Sequence, residues 1–330
     1  MECNLLVILG PTASGKTRLG VELARRFNGE IISADSRQVY RGMDIGSGKD
    51  LTEYGDVPHH LIDIVNPGYE FNLFQFQRRF LAAYEEIRGR GRLPLLVGGT
   101  GLYLDSILNG YRLTAVPENL QLREELAAFS LDRLIHRLRE AQSRLHNSTD
   151  LLDRERLVRA IEIAEFQNRT PPEPLPEFHR LILGLRWERS LLRERITARL
   201  RQRLGEGLIQ EVARLHGEGI SWEQLEFYGL EYRYVARHLR GELTRNDLFQ
   251  KLNSAIHDFA KKQDNWFRRM ERHGTVIHWV DGAADPLAEA TTIVSPALPF
   301  PDASSPSACL PILPVSWTHS GADRPDGRSA

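Results

Sequence analysis

No apolar run in this chain approaches the ~20 residues a membrane span needs, and its only two cysteines, Cys3 and Cys309, stand near opposite ends of 330 residues. Membrane insertion, a disulfide framework and a cysteine-clustered zinc site are therefore not expected. Neither sign of charge is in excess, since 43 Lys and Arg face 44 Asp and Glu for a formal net charge of −1. The class of partner must then be read from where charge sits rather than from how much there is. The first apolar stretch, Leu5 to Leu9, leads directly into a glycine-rich motif, so cleaving it as a secretion leader would destroy that motif. A cytoplasmic protein is expected. With 41% apolar and 26% charged residues, the composition is that of a globular protein, long enough for one large domain plus an insertion.

That motif is Gly10-Pro11-Thr12-Ala13-Ser14-Gly15-Lys16-Thr17, and it has the form of a phosphate-cradling P-loop. Its glycines let backbone amides wrap an anion, and the following helix N-terminus and Lys16 add positive potential. Thr17 would offer its hydroxyl to a magnesium ion bridging the phosphates. A buried strand precedes the motif and an amphipathic helix (Leu19, Val21, Leu23, Ala24, Phe27) follows it. An ordinary glycine turn would not need that context.

Short apolar strands alternate with helical patterns over residues 1–116: Leu5–Leu9, Glu30–Ser33, His60–Ile64 and Leu95–Val97. This order predicts an α/β fold, a P-loop NTPase-like parallel sheet flanked by helices, with its ligand site at the carboxyl ends of the strands. Residues 117–178 turn helical and charged, predicting a mainly helical insertion that ends in the stiff Pro171–Pro176 segment. Residues 179–294 add a strand at Arg180–Leu185, a long helical region and a short strand at His278–Val280. From 295 to 330 the chain is rich in Pro, Ser, Ala and Gly without periodicity, which predicts disorder.

The strand ends point to chemistry. A kinase or NTPase usually holds magnesium through an Asp ending a second strand, but Leu95–Val97 runs into Gly98-Gly99-Thr100-Gly101 with no carboxylate. Thr100 could donate to a phosphate oxygen there. The carboxylate comes instead after Glu30–Ala34, in Asp35-Ser36-Arg37-Gln38-Val39-Tyr40. Three roles compete for Asp35: helix cap, magnesium ligand and general base. Asp44 and Asp50, bracketing Gly46, Gly48 and Lys49, suggest a mobile polar loop over the site, and Asp63 reads as structural.

These residues resemble the tRNA dimethylallyltransferase (tRNA isopentenyltransferase) family. The P-loop, Asp35-Ser36-x-Gln38-x-Tyr40, Gly42-Met43-Asp44-Ile45-Gly46, Pro58-His59-His60-Leu61 and Gly98-Gly99-Thr100-Gly101-Leu102-Tyr103 follow its pattern in order. So do Arg156-x-x-Arg159-Ala160-Ile161-Glu162 and Lys262-Gln263-x-x-Trp266-Phe267-Arg268. The resemblance implies transfer of a dimethylallyl group from its diphosphate to the exocyclic amine of the adenosine 3′ to a tRNA anticodon. It implies that Gly10 to Thr17 hold the diphosphate with Mg2+, that Asp35 is the general base and that Thr100 assists catalysis. It places Asp35, Ser36, Arg37, Gln38, Thr100, Arg123, Arg156, Arg159, Tyr232 and Arg233 at the tRNA.

Charge concentrations fit an RNA partner, with seven arginines from Arg186 to Arg203 and a second group at Lys261, Lys262, Arg268, Arg269 and Arg272. Solvated helix faces would look the same. The sequence departs from the family's usual form at Ser47-Gly48-Lys49-Asp50, at His146–Asp150, and at Glu231-Tyr232-Arg233, where typical members have glycine in place of Glu231. A transferase using free adenylate, a P-loop kinase and a non-catalytic tRNA-binding paralogue are the competing expectations. A monomer is expected.

Overall fold

The computed structural model describes residues 2–141, 153–169 and 175–298. Pro171 to Pro174, His146 to Asp150 and the segment 299–330 with Cys309 lie outside the described residues. The elements are, in chain order, β1 (Leu5–Leu9), α1 (Lys16–Arg26), β2 (Gly29–Ala34), β3 (His59–His60), α2 (Leu73–Gly89), β4 (Leu93–Gly98), α3 (Gly101–Leu108), α4 (Leu120–Ala127), α5 (Leu131–Ala141) and α6 (Arg154–Arg169). Then follow β5 (Arg180–Arg186), α7 (Arg189–Gly205), α8 (Leu208–Gly217), α9 (Trp222–Phe227), α10 (Leu230–Leu239), α11 (Arg245–Arg272), β6 (His278–Asp281) and α12 (Pro286–Val294).

All six strands are parallel, in the order β3-β2-β4-β1-β5-β6. Burial on both faces explains why β1, β2 and β4 are continuous buried runs rather than alternating ones. One face packs on α2, α3 and α11 through Phe76, Phe80, Tyr103 and Phe267; the other packs on α1 and α12 through Leu19, Leu23, Ala290 and Val294. A third core, built on Leu200, Val212, Tyr232 and Leu252, joins the helices after β5 to the segment around Tyr40. Register does the positioning: Ala34 and Leu9 both pair with Gly98, so the P-loop, Asp35 and Gly99-Thr100 emerge side by side at one end of the sheet.

Two local expectations change. The strand expected over His60–Ile64 stops at His60, because Leu61 (φ 65°) and Asp63 (φ 54°) are left-handed and cannot continue an extended ladder. Likewise, Ser295–Ala297 forms a 3-10 turn and the Ala297 carbonyl accepts the Cys3 amide at 2.8 Å, so the chain is placed as far as Leu298, beyond the predicted boundary of the tail.

Helices α4, α5 and α6 share a small core of their own, among Leu122, Leu126, Leu134, Leu138, Leu157 and Ile161. Its polar anchor is Glu162, whose fully buried carboxylate accepts from Arg123 Nε (2.8 Å) and NH2 (3.0 Å), Arg159 NH1 (3.0 Å) and the Asn119 amide (2.9 Å). Burial opposes its ionisation, but these hydrogen bonds outweigh that and lower its pKa to about 2. The carboxylate is thus more acidic folded than unfolded. Its contribution is complete above the unfolded value of 4.5 and is lost as pH falls toward 2. Glu162→Gln should flatten the acid limb of a denaturant-stability profile over that window. Glu162→Ala should cost about 2 kcal/mol at neutral pH, less than for a fully buried pair because both arginines are partly solvated.

Candidate active site

Gly15, at φ 87°, turns the chain from the P-loop into α1. The first-turn amides of that helix have no intrahelical acceptor. The loop's carbonyls are tied off elsewhere: Trp187 Nε1 donates to Ser14 O (2.9 Å), Arg195 Nε to Ala13 O (2.9 Å) and Lys16 Nζ to Pro11 O (3.3 Å). The buried Ser14 hydroxyl has no hydrogen-bond partner. A loop with its Pro11, Ala13 and Ser14 carbonyls engaged, a helix N-terminus behind it and Lys16 and Thr17 lining the cavity is built to receive an anion.

Gln263 of α11 braces this loop. Its Oε1 accepts the Thr12 amide and its Nε2 donates to Gly99 O, both at 2.8 Å. Side chains of α11 lie so close that a Cβ on Gly99 would fall 2.5 Å from Gln263 Nε2, and one on Gly101 would fall 2.4 Å from the Trp266 ring. The glycines after β4 therefore admit a neighbouring helix. Thr100 caps α3, and its Oγ1 accepts the Ser36 amide at 3.1 Å, leaving its hydroxyl proton free to donate.

Together these parts enclose a cavity of about 410 Å³. Its lining includes Thr12, Lys16 and Thr17 of the P-loop and α1, Asp35, Ser36 and Arg37 after β2, Thr100 and Trp266, and Arg199, Arg203, Glu231 and Arg233 of α7 and α10. Lys16 is half-buried. Desolvation lowers its pKa to about 8, Asp35 works against that, and Arg199 and Arg203 add to it. Asp35 Oδ1 accepts the Arg37 amide at 2.8 Å, so it fixes its own turn while facing the cavity. Phe227, Phe259 and Leu102 line the opening and remain exposed, with Arg37 over the Phe227 ring at 5.4 Å.

Other residues expected at the tRNA have partners within the chain. Arg123 and Arg159 are clamped on Glu162 in the helical insertion, and Arg156 pairs with Asp153; none of the three lines the cavity. Tyr232 is buried, its hydroxyl donating to Glu211 at 2.8 Å, so its side chain does not present itself to a ligand. Gln38 lines the cavity, yet both ends of its amide are engaged, by Ser33 Oγ (2.9 Å) and Gly48 O (3.2 Å). The 44–50 loop is pinned rather than mobile. Glu211 accepts the amides of Asp44, Ile45 and Gly46 at 2.8, 2.8 and 3.0 Å, and buried Lys49 bonds Tyr40 O (2.6 Å), Asp44 (2.7 Å) and Asp63.

Sequence reasoning missed Gln263 as a brace, Arg195 as a second holder of the P-loop through Ala13 O, and Arg199 and Arg203 as wall residues. The three arginines recur every four residues, which puts them on one face of α7, and that spacing was the available signal. As for magnesium, no group of three His, Cys, Asp or Glu among the described residues could hold a metal. Thr17 and Asp35 both line the cavity, so a magnesium ion fits only if the phosphate oxygens and water supply most of its ligands, as that ion prefers.

Comparison with known proteins agrees with this geometry. A family model described as IPP transferase matches residues 38–270, and one described as isopentenyl transferase matches residues 3–54. The chain is 71% identical over 297 residues to tRNA dimethylallyltransferase 1 of Geotalea daltonii, covering 89% of this chain and 96% of that protein. It is 68% identical to tRNA dimethylallyltransferase 1 of Geotalea uraniireducens, over 89% and 98% of the two chains. Among solved structures, the full-length tRNA isopentenylpyrophosphate transferase of Bacillus halodurans superposes with a TM-score of 0.67 at 33% identity, covering 89% of this chain and 96% of its own. A P-loop braced from α11, a rim carboxylate at Asp35 and these matches along most of the sequence lead to one assignment: the chain belongs to the tRNA dimethylallyltransferase family.

Proposed function

We infer that this chain transfers a dimethylallyl group from dimethylallyl diphosphate to an adenosine of tRNA, at the exocyclic amine of the base 3′ to the anticodon, releasing diphosphate. The observation that carries this reading is that one cavity is lined by an anion cradle, by Asp35 and by a Glu231 already paired with Arg203, with no carboxylate ending β4. A kinase needs that second-strand acid to direct magnesium at a γ-phosphate. A prenyl transfer does not, because the bond that breaks joins carbon to oxygen.

The amine nitrogen attacks the allylic carbon, the carbon–oxygen bond opens, its electron pair goes to the diphosphate oxygen, and the nitrogen's proton passes to Asp35. The P-loop amides, Lys16 and Thr100 would hold the charge that gathers on the leaving group. Magnesium, held by Thr17 and the phosphates, would supply further neutralisation of that charge. Reaching an anticodon-loop base requires flipping it from its stack. The exposed Phe227 and Phe259 with Arg37 and Arg233 at the opening offer stacking and phosphate contacts for the neighbouring nucleotides.

Asp35→Asn should lower the rate of label transfer from dimethylallyl diphosphate to unmodified tRNA by about 10²–10⁴, with diphosphate binding retained; full activity in this variant would remove Asp35 from the role of base. Lys16 gives a pH signature. Anion binding favours the charged ammonium and raises its pKa above the free value of about 8. Affinity for inorganic diphosphate attributable to Lys16 should therefore be constant below that pH and decline above it. Titration calorimetry on Lys16→Met should show weaker binding and the loss of that decline.

A further inference from the structure

Lys16, Arg199 and Arg203 converge on the P-loop end of the cavity, close enough that the two arginines depress the Lys16 pKa. A leaving diphosphate gripped by all three would be slow to depart. Each arginine, however, already has a carboxylate. Arg199 pairs with Asp50, and Arg203 NH1 lies 3.4 Å from Glu231 Oε1, with both side chains of that second pair largely buried (10% and 18% exposed) in the cavity wall. Glu231 is the first-turn acid of α10 and is held there by burial on both sides: the Tyr232 hydroxyl anchors the same turn to Glu211, and Arg203 is backed by Gly48, where an added Cβ would strike its guanidinium. Glu231 is therefore held opposite Arg203 with little of its side chain open to solvent.

We propose that Glu231 is the release residue of the diphosphate site: its carboxylate competes with the diphosphate for Arg203, as Asp50 does for Arg199, so the freed leaving group never holds all three cations. The arginines are shared between protein and ligand. Burial raises the Glu231 pKa while Arg203 and Arg199 oppose that rise, consistent with a carboxylate whose charge depends on keeping its guanidinium partner. This inference rests on the reading of the P-loop as a diphosphate cradle.

The test is the affinity of inorganic diphosphate for the full-length chain. Glu231→Gln keeps shape and removes charge, and it should tighten diphosphate binding about tenfold, the scale of one unit charge removed within a few ångströms at a partly solvated site. The inhibition constant of diphosphate against dimethylallyl diphosphate should fall by the same factor. Asp50→Asn, at a side chain 41% exposed, should act in the same direction and more weakly, and it serves as the second variant if Glu231→Gln does not fold. Unchanged or weaker binding in a folded variant overturns the proposal. Wild-type protein that fails to bind diphosphate, or Lys16→Met that binds it equally well, would instead overturn the underlying reading of the site.

Discussion

The double hydrogen bond of Gln263, to the Thr12 amide on one side and Gly99 O on the other, is the interaction on which the site depends. Parallel strands deliver the P-loop and the Gly99-Thr100 turn to one edge, but sheet register alone leaves their spacing soft. A buried amide side chain that satisfies both a donor and an acceptor fixes that spacing, and either lost bond would strand a buried polar group. The glycines after β4 make sense in this light. Gly99 and Gly101 are small because α11 has to lie against them.

Electrostatics follow from the same crowding. Lys16 enters a pocket that desolvates it and that already holds arginines, so its charge is carried reluctantly until an anion arrives. The protein meets the cost of assembled cations with carboxylates on separate elements: Asp35 after β2, Asp50 in the loop beyond it and Glu231 on α10. One carboxylate lines the cavity with its turn's amide as partner and two hold arginines. Those roles differ because the three acids sit at different depths and against different partners, not because the residue types differ.

Much of the architecture was legible because its signals are local. Apolar runs bounded by glycine marked the strands, and the P-loop and Asp35 were placed by the strand each one ends. What escaped was set by long-range contact. Nothing near Tyr232 says that its hydroxyl serves Glu211, and nothing near Arg123 says that Glu162 claims it. Lys49 looked like a loop cation because its two acids, Asp44 and Asp63, become neighbours only after β2 and the following turn are folded. The His60–Ile64 strand failed for a conformational reason that apolar pattern does not encode, the left-handed backbone at Leu61 and Asp63.

The brace also orders events in time. Thr12 and Gln263 are separated by 251 positions, with four of the six strands made between them. A chain emerging from a ribosome displays its phosphate loop long before the residue that shapes it. The nascent enzyme is therefore without a finished cradle until those 251 positions have been added.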